Sequence, residues 1–251
     1  MQLQENKYIY FASDFHLGAP NAAQSLIREK KVVAWLEQIK PSCAALYLMG
    51  DVFDFWFDYG KVIPKGFSRL LGKLAELREE KIPVYFFTGN HDLWMFNYME
   101  DELNIPIIRN RLELEIGNKK LFLAHGDGLG PNDKGYKRLK KIFTNRMLQF
   151  MFKWFIHPNI GVWIAQKWST TGKQQYKGVE TKFLNEEEWL VQYARKKLEQ
   201  QHYDFFVFGH RHTPIIYELN ENSKYINLGD WINHFTYAKF DGNDMELIKY
   251  E

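Results

Sequence analysis

Cysteine occurs once in the 251 residues, at Cys43. No disulfide can form within the chain, which fits a reducing compartment. No run of ~18 uninterrupted apolar residues exists, so no membrane-spanning helix is expected. The opening residues, MQLQENKYIY, lack the basic-then-apolar pattern of a signal peptide. Charge of one sign is also missing. The formal balance is +2, which gives no global case for a nucleic-acid partner. Repeats and low-complexity tracts are absent as well. Aromatic residues, by contrast, make up 17% of the chain, and part of that excess lies in one segment.

Short apolar runs rich in β-branched and aromatic residues recur: YIYFAS (Tyr8 to Ser13), AALYLM (Ala44 to Met49), VYFFT (Val84 to Thr88), LFLA (Leu121 to Ala124) and FFVF (Phe205 to Phe208). They read as strands buried on both faces. Helical patterns over Ser25 to Ile39 and Phe67 to Leu77 separate the first three. Asn185 to Glu188 resembles the capped start of a helix through Leu198. The last part alternates more (Ile215 to Leu219, Tyr225 to Asn227, Thr236 to Phe240, Met245 to Tyr250) and predicts an antiparallel meander. The fold class expected is α/β (α+β), with layered α/β/β/α packing.

Each strongly apolar strand ends in similar chemistry. The five ends are Asp14-Phe15-His16, Gly50-Asp51-Val52-Phe53-Asp54, Gly89-Asn90-His91-Asp92, His125-Gly126-Asp127 and Gly209-His210-Arg211-His212. Reactive groups gather at the carboxyl ends of strands in α/β sheets. Asp14 and His16, at i and i+2 of an extended segment, are expected on one side. Carboxylate, imidazole and amide ligands without thiolate suit Mn, Fe or Zn. Seven candidates (Asp14, His16, Asp51, Asn90, His125, His210, His212) point to two ions. With Asp51 as bridge, Asp14, His16 and His212 complete one site, and Asn90, His125 and His210 the other. His91 suits transition-state charge or leaving-group protonation, with Asp92 orienting it through a ring N–H. Taken singly, each piece has a plainer reading: a strand-end turn, an N-cap at Asp51, a turn at Asn90, surface histidines. Their joint order argues against that.

These motifs, in this order from Asp14 to His212, resemble those of the calcineurin-like metallophosphoesterases. The resemblance implies a four-layer β-sandwich flanked by helices. It also implies a dinuclear centre that hydrolyses phosphoesters. The aromatic continuation Phe55-Trp56-Phe57, the run His125 to Leu129 with Asp133 and Tyr136, and Leu228-Gly229-Asp230-Trp231 look most like the UDP-2,3-diacylglucosamine diphosphatase branch of lipid A synthesis. That branch implies pyrophosphate cleavage to UMP and 2,3-diacylglucosamine 1-phosphate, typically with Mn2+. It makes Asn90, His91, His210, Asp133 and Tyr136 substrate contacts. Asp133 and Tyr136 read equally well as the start of a capped, basic helix. The chain departs from the branch at His91, where many members carry arginine.

The aromatic excess concentrates in RMLQFMFKWFIH, Arg146 to His157. Arg146, Gln149, Lys153 and His157 form one narrow polar stripe, and apolar residues cover the rest. Pro158-Asn159 breaks this helix, and Ile160 to Trp168 is apolar again. The expectation is one domain, 1–251, with 137–180 inserted as a helical hairpin lid. The hairpin would hold acyl chains or dock on a membrane surface, placing the protein at the inner face of the cytoplasmic membrane. A core or dimer helix is the plainer alternative. Lys167, Lys173 and Lys177 follow it as candidate phosphate contacts or as solvated lysines. Other readings of the whole are a soluble phosphodiesterase or nucleotide pyrophosphatase, and a non-catalytic scaffold. The oligomeric state is left open.

Overall fold

The computed structural model describes residues 3–130, 134–164, 167 and 183–251. Two mixed sheets form its centre. The first has six strands in the order β11 (Met245–Lys249), β10 (Thr236–Phe240), β1 (Tyr8–Ala12), β2 (Cys43–Leu48), β3 (Val84–Phe87) and β4 (Ile107–Ile108). The second runs β5 (Arg111–Ile116), β6 (Lys119–Ala124), β7 (Phe205–Phe208), β9 (Ser223–Asn227), β8 (Ile215–Asn220). The pairs β1–β2, β2–β3, β6–β7 and β7–β9 are parallel. Their carboxyl ends therefore open toward the same loops.

Strand alternation divides the core into three layers of side chains. In β1, Ile9 and Phe11 face the second sheet and share a core layer with Tyr47, Phe87 and Phe240 of their own sheet and Leu123 and Val207 of the second. Tyr10 and Ala12 face outward onto α1 (Ala22–Ile39) and α2 (Ser68–Glu79), through Trp35, Leu36, Leu70 and Leu74. The outer face of the second sheet packs on α7 (Trp189–Leu198) through Leu190, Val191 and Ala194. Helix, sheet, sheet and helix thus stack as expected. Further elements are α3 (Tyr98–Leu103), α4 (Lys134–Phe143), α5 (Arg146–Phe155) and a helical stretch over 158–164, α6.

One expectation is corrected. The C-terminal strands are not a single meander. The hairpin β8–β9 joins the second sheet through β7, whereas β10 crosses to pair antiparallel with β1. The crossing passes through Leu228-Gly229-Asp230-Trp231. Trp231 is buried there against Phe15 and Trp35, with ring centroids at 5.3 and 5.0 Å, and its backbone N–H donates to the Asp14 carbonyl at 3.1 Å. Alternation reports burial on a strand, and both sheets bury their strands equally.

Two buried charged residues of α1 serve the loops. Glu29 accepts from the N–H groups of Arg69 and Leu70 at 2.9 and 3.1 Å, capping α2 where the N-cap residue Phe67 gives no side-chain bond. Arg28 donates through Nη1 to the carbonyls of Phe15, His16 and Ala19 at 3.0, 2.8 and 3.1 Å. Arg28→Met removes the guanidinium from all three carbonyls in a dry place, of which that of His16 keeps a bond from the Ala19 N–H at 3.1 Å, and is expected to lower Tm by roughly 5–10 °C. Differential scanning calorimetry reads this, and an unchanged Tm would show that the clamp is idle.

Candidate metal centre

The loops leaving β1, β2, β3, β6 and β7 bring seven side chains to one place. Asp14 and His16 do not converge by strand alternation, as the sequence suggested. β1 ends at Ala12, and both residues adopt left-handed backbone, with φ of 56° and 44°. Asp51, His210 and His212 do likewise, at 52°, 66° and 54°. Such φ values in non-glycine residues are uncommon and strained, and they cluster where function holds them. Backbone bonds fix the turns: Asp14 N–H donates to the Gly50 carbonyl at 3.0 Å, and His16 N–H to that of Asp51 at 2.9 Å. Close approach requires glycine at position 89. A Cβ there would lie 2.2 Å from Asp51 Oδ1 and 2.6 Å from the Asp51 backbone N.

Two clusters share this space. In one, His212 Nε2 lies 3.1 Å from Asp14 Oδ1, and His16 Nε2 lies 3.7 Å from that oxygen and 3.2 Å from His212 Nε2. In the other, His125 Nε2 lies 3.4 Å from Asp51 Oδ2 and 3.3 Å from Asn90 Oδ1, and His210 Nδ1 lies 2.8 Å from that amide oxygen. Asp51 Oδ2 is also 3.8 Å from His16 Nε2, so its carboxylate stands between the clusters. Among the described residues, ligand atoms of Asp14, His16 and His212 lie within 4.8 Å of one another, as do those of Asp51, His125 and His210. A third such group is His16, Asp51 and His91.

Outer partners orient the rings, as metal ligands require. His125 Nδ1 donates to the Met49 carbonyl at 2.8 Å. His16 Nδ1 lies 3.3 Å from Asp54 Oδ1, and His212 Nδ1 lies 3.6 Å from Asp230 Oδ2. With Nδ1 turned to a carboxylate on each, His16 and His212 both present Nε2 lone pairs beside Asp14 Oδ1. Three electron-rich atoms gathered this way suit a cation. The charges agree. Burial raises the Asp14 and Asp51 carboxyls, yet His212 beside the first and His125 beside the second outweigh it and hold both below the usual carboxylate range. Burial lowers His125 and His212, but Asp51 and Asp14 push each up to about 10. Burial and the neighbouring His125 hold His210 down near 4. A cation held by these residues would take the place of those protons on the ligand nitrogens.

His91 borders this centre, its ring 4.7 Å from that of His16. Asp92 does not orient it. The buried Asp92 carboxylate instead accepts from the N–H groups of Gly89 at 2.7 Å and Val52 at 3.0 Å, tying the β2 and β3 loops together. The partner of His91 is Asp54, whose carbonyl accepts from Nδ1 at 3.0 Å. Asp54 and Asp230 are site-supporting residues that sequence reading left without a role, although both stand inside quoted motifs. Arg28, in mid-helix, gave no signal.

Tyr136 lies on α4 and donates its hydroxyl to Asp127 Oδ2 at 2.6 Å. Lys167 is exposed, its Nζ 4.8 Å from the centroid of the Trp163 ring. Asp133, Lys173 and Lys177 lie outside the described residues.

The helix α5 is turned apolar side out. Met147, Phe150, Trp154 and Phe155 are 68, 58, 69 and 77% exposed. Gln149, from the polar stripe, bonds the Phe143 carbonyl at 2.8 Å. One apolar residue faces the body: Phe152 packs on Phe57, Tyr59 and Trp94, with centroids at 5.1, 6.4 and 4.7 Å. Gly161 of α6 meets this socket. A Cβ there would lie 2.2 Å from the Tyr59 hydroxyl and 3.1 Å from the Phe152 ring. Phe57 and Trp94 follow Asp51 and Asn90 in the chain, so the aromatic continuation of the second motif helps seat α5. Among the described residues, no helix is long and apolar enough to cross a membrane.

Comparison with known proteins agrees with the site. The calcineurin-like phosphoesterase family matches residues 7–214. A Porphyromonas gingivalis protein named UDP-2,3-diacylglucosamine hydrolase is 35% identical over 97% of this chain and 97% of its own. Proteins of the same name from Vibrio vulnificus and Proteus mirabilis are 27 and 26% identical, over 94 and 96% of this chain and 96 and 98% of theirs. With the match across residues 7–214 and the Asp/His donor set at its strand ends, the chain belongs to the calcineurin-like phosphoesterase family and is a metal-dependent hydrolase.

Proposed function

We propose that the chain hydrolyses the pyrophosphate bond of UDP-2,3-diacylglucosamine, yielding UMP and 2,3-diacylglucosamine 1-phosphate for lipid A synthesis. One observation carries this reading beyond the family. Phe152 fastens an apolar-out helix to the loops that follow Asp51 and Asn90, so an acyl-binding surface and a phosphate-binding centre form one unit. A substrate with a pyrophosphate and two acyl chains matches both. The relatives are named as hydrolases of UDP-2,3-diacylglucosamine.

Asp14, His16, Asp51 and His212 would hold one divalent ion, and Asp51, Asn90, His125 and His210 the second, with Mn2+ favoured. Bound there, such ions neutralise phosphoryl oxygens and lower the pKa of a water. The chain's own residues do the rest. Asp54 holds His91 at the rim, where its outer nitrogen can reach a phosphoryl oxygen or protonate the departing lipid phosphate. Asn90 and His210, joined at 2.8 Å, orient the phosphate they border. Water attacks the α-phosphorus and the bond to the bridging oxygen breaks. The region 137–180 acts as a lid and docks on the inner face of the cytoplasmic membrane. Asp133, Tyr136, Lys167, Lys173 and Lys177 are head-group contacts in this reading.

The test is a reaction of purified protein with Mn2+ and the diacylated UDP-sugar in 18O water. UMP should form and carry the label. No UMP, beside rapid cleavage of a soluble diester, would exclude this substrate and leave the soluble phosphodiesterase reading.

A further inference from the structure

Asp127 is buried, stands two residues beyond His125, and is not among the seven candidate ligands. Its Oδ2 accepts from the Tyr136 hydroxyl at 2.6 Å and from Lys140 Nζ at 2.6 Å. One turn earlier on the same helix, Lys137 Nζ donates to the Gly130 carbonyl at 2.5 Å. Three side chains of α4 therefore grip the loop that leaves β6 directly after a candidate ligand. Two lysines of the basic helix are thus spent on contacts within the protein. The other end of α4 is tied separately. Trp94 Nε1 donates to the Phe143 carbonyl at 2.6 Å, and the rings of Trp94 and Phe143 lie 5.8 Å apart. α4 thus spans two loops of the metal centre, and the apolar-out α5 hangs from its far end.

We propose that Asp127 is a positioning residue that fixes the inserted helices over the metal centre, and that through Tyr136 and Lys140 it sets specificity for the long acylated substrate. A buried carboxylate with two donors from one helix is a short, charge-assisted anchor. Losing it lets α4 shift or fray while the strand-end side chains keep their own bonds. A small diester reaches the centre regardless of α4; a diacylated sugar needs α4 and α5 in register with it. This inference rests on the lipid substrate proposed above.

Lys140 is the cleaner handle, because its side chain is partly exposed and its loss need not disturb the fold. With Lys140→Met, and with Asp127→Asn, KM for the diacylated UDP-sugar should rise about tenfold, while kcat/KM for bis(p-nitrophenyl) phosphate stays within about twofold. Lys140→Arg should restore KM. The double variant should be no worse than either single one, since each already removes the charge pairing between Asp127 and Lys140. Amide hydrogen exchange in α4 should quicken about tenfold in Lys140→Met. Unchanged KM and unchanged exchange would overturn the proposal. So would a parallel loss on both substrates, which would place Asp127 in service of the metal centre itself. If the wild-type protein fails to cleave the lipid, the functional reading falls, and exchange in Lys140→Met alone decides: faster exchange upholds the anchor, unchanged exchange removes it.

Discussion

Asp51→Asn is expected to lower kcat by at least about 10³-fold on any phosphoester and to remove at least one bound ion per chain. The Asp51 carboxylate stands between imidazoles of both clusters, at 3.4 Å from His125 Nε2 and 3.8 Å from His16 Nε2. Its Oδ1 meanwhile accepts from the His91 N–H at 2.8 Å, a bond that asparagine can also make. The β3 loop should therefore keep its shape while the negative charge between the ions is lost. Metal content by mass spectrometry and turnover of a soluble diester read the two effects separately. Full activity with two ions retained would remove Asp51 from its bridging role.

The second large effect concerns α5. Replacing Met147, Phe150, Trp154 and Phe155 together by glutamine should weaken binding to anionic phospholipid vesicles roughly 10²–10³-fold, from the apolar area withheld from the membrane. KM for the lipid substrate should rise with it. These side chains contact mainly solvent, so the Tm should move by no more than about 2 °C. The soluble diester should be cleaved as before. Vesicle binding that survives all four changes would mean that the exposed face serves another purpose, such as contact with a second protein. Lipid and protein both cover apolar faces, but only the first predicts a KM effect limited to acylated substrates.

Much of this was readable before any coordinates. The apolar strands, the helices between them and all seven candidate ligands follow from periodicity and from what terminates each run. Strands buried on both faces have near-continuous apolar sequence, and a polar residue at their end has nowhere to sit but a site or a turn. What escaped reading depends on partners far apart in sequence. Trp94 and Phe152 lie 4.7 Å apart across 58 positions, and nothing in either run names the other. Asp92 follows His91 directly in the chain, whereas Asp54 meets it only in the fold. Only the path of the backbone decides that Asp54 holds the ring and Asp92 ties loops. The inversion of α5 is similar. Its composition shows a wide apolar face, but one inward residue, Phe152, determines which side meets the protein. The left-handed turns at Asp14 and His16 were hidden because neither residue is glycine, and strain of this kind is maintained by the surrounding fold.

Crystals grown with Mn2+ and UMP, with data collected at the manganese edge, test the central claim most directly. Two anomalous peaks are expected roughly 3.5–4 Å apart, both touching Asp51. One should also touch Asp14, His16 and His212, the other Asn90, His125 and His210, with the UMP phosphate across the pair. A single peak, or two peaks that do not share Asp51, would contradict the dinuclear centre on which the proposed reaction depends.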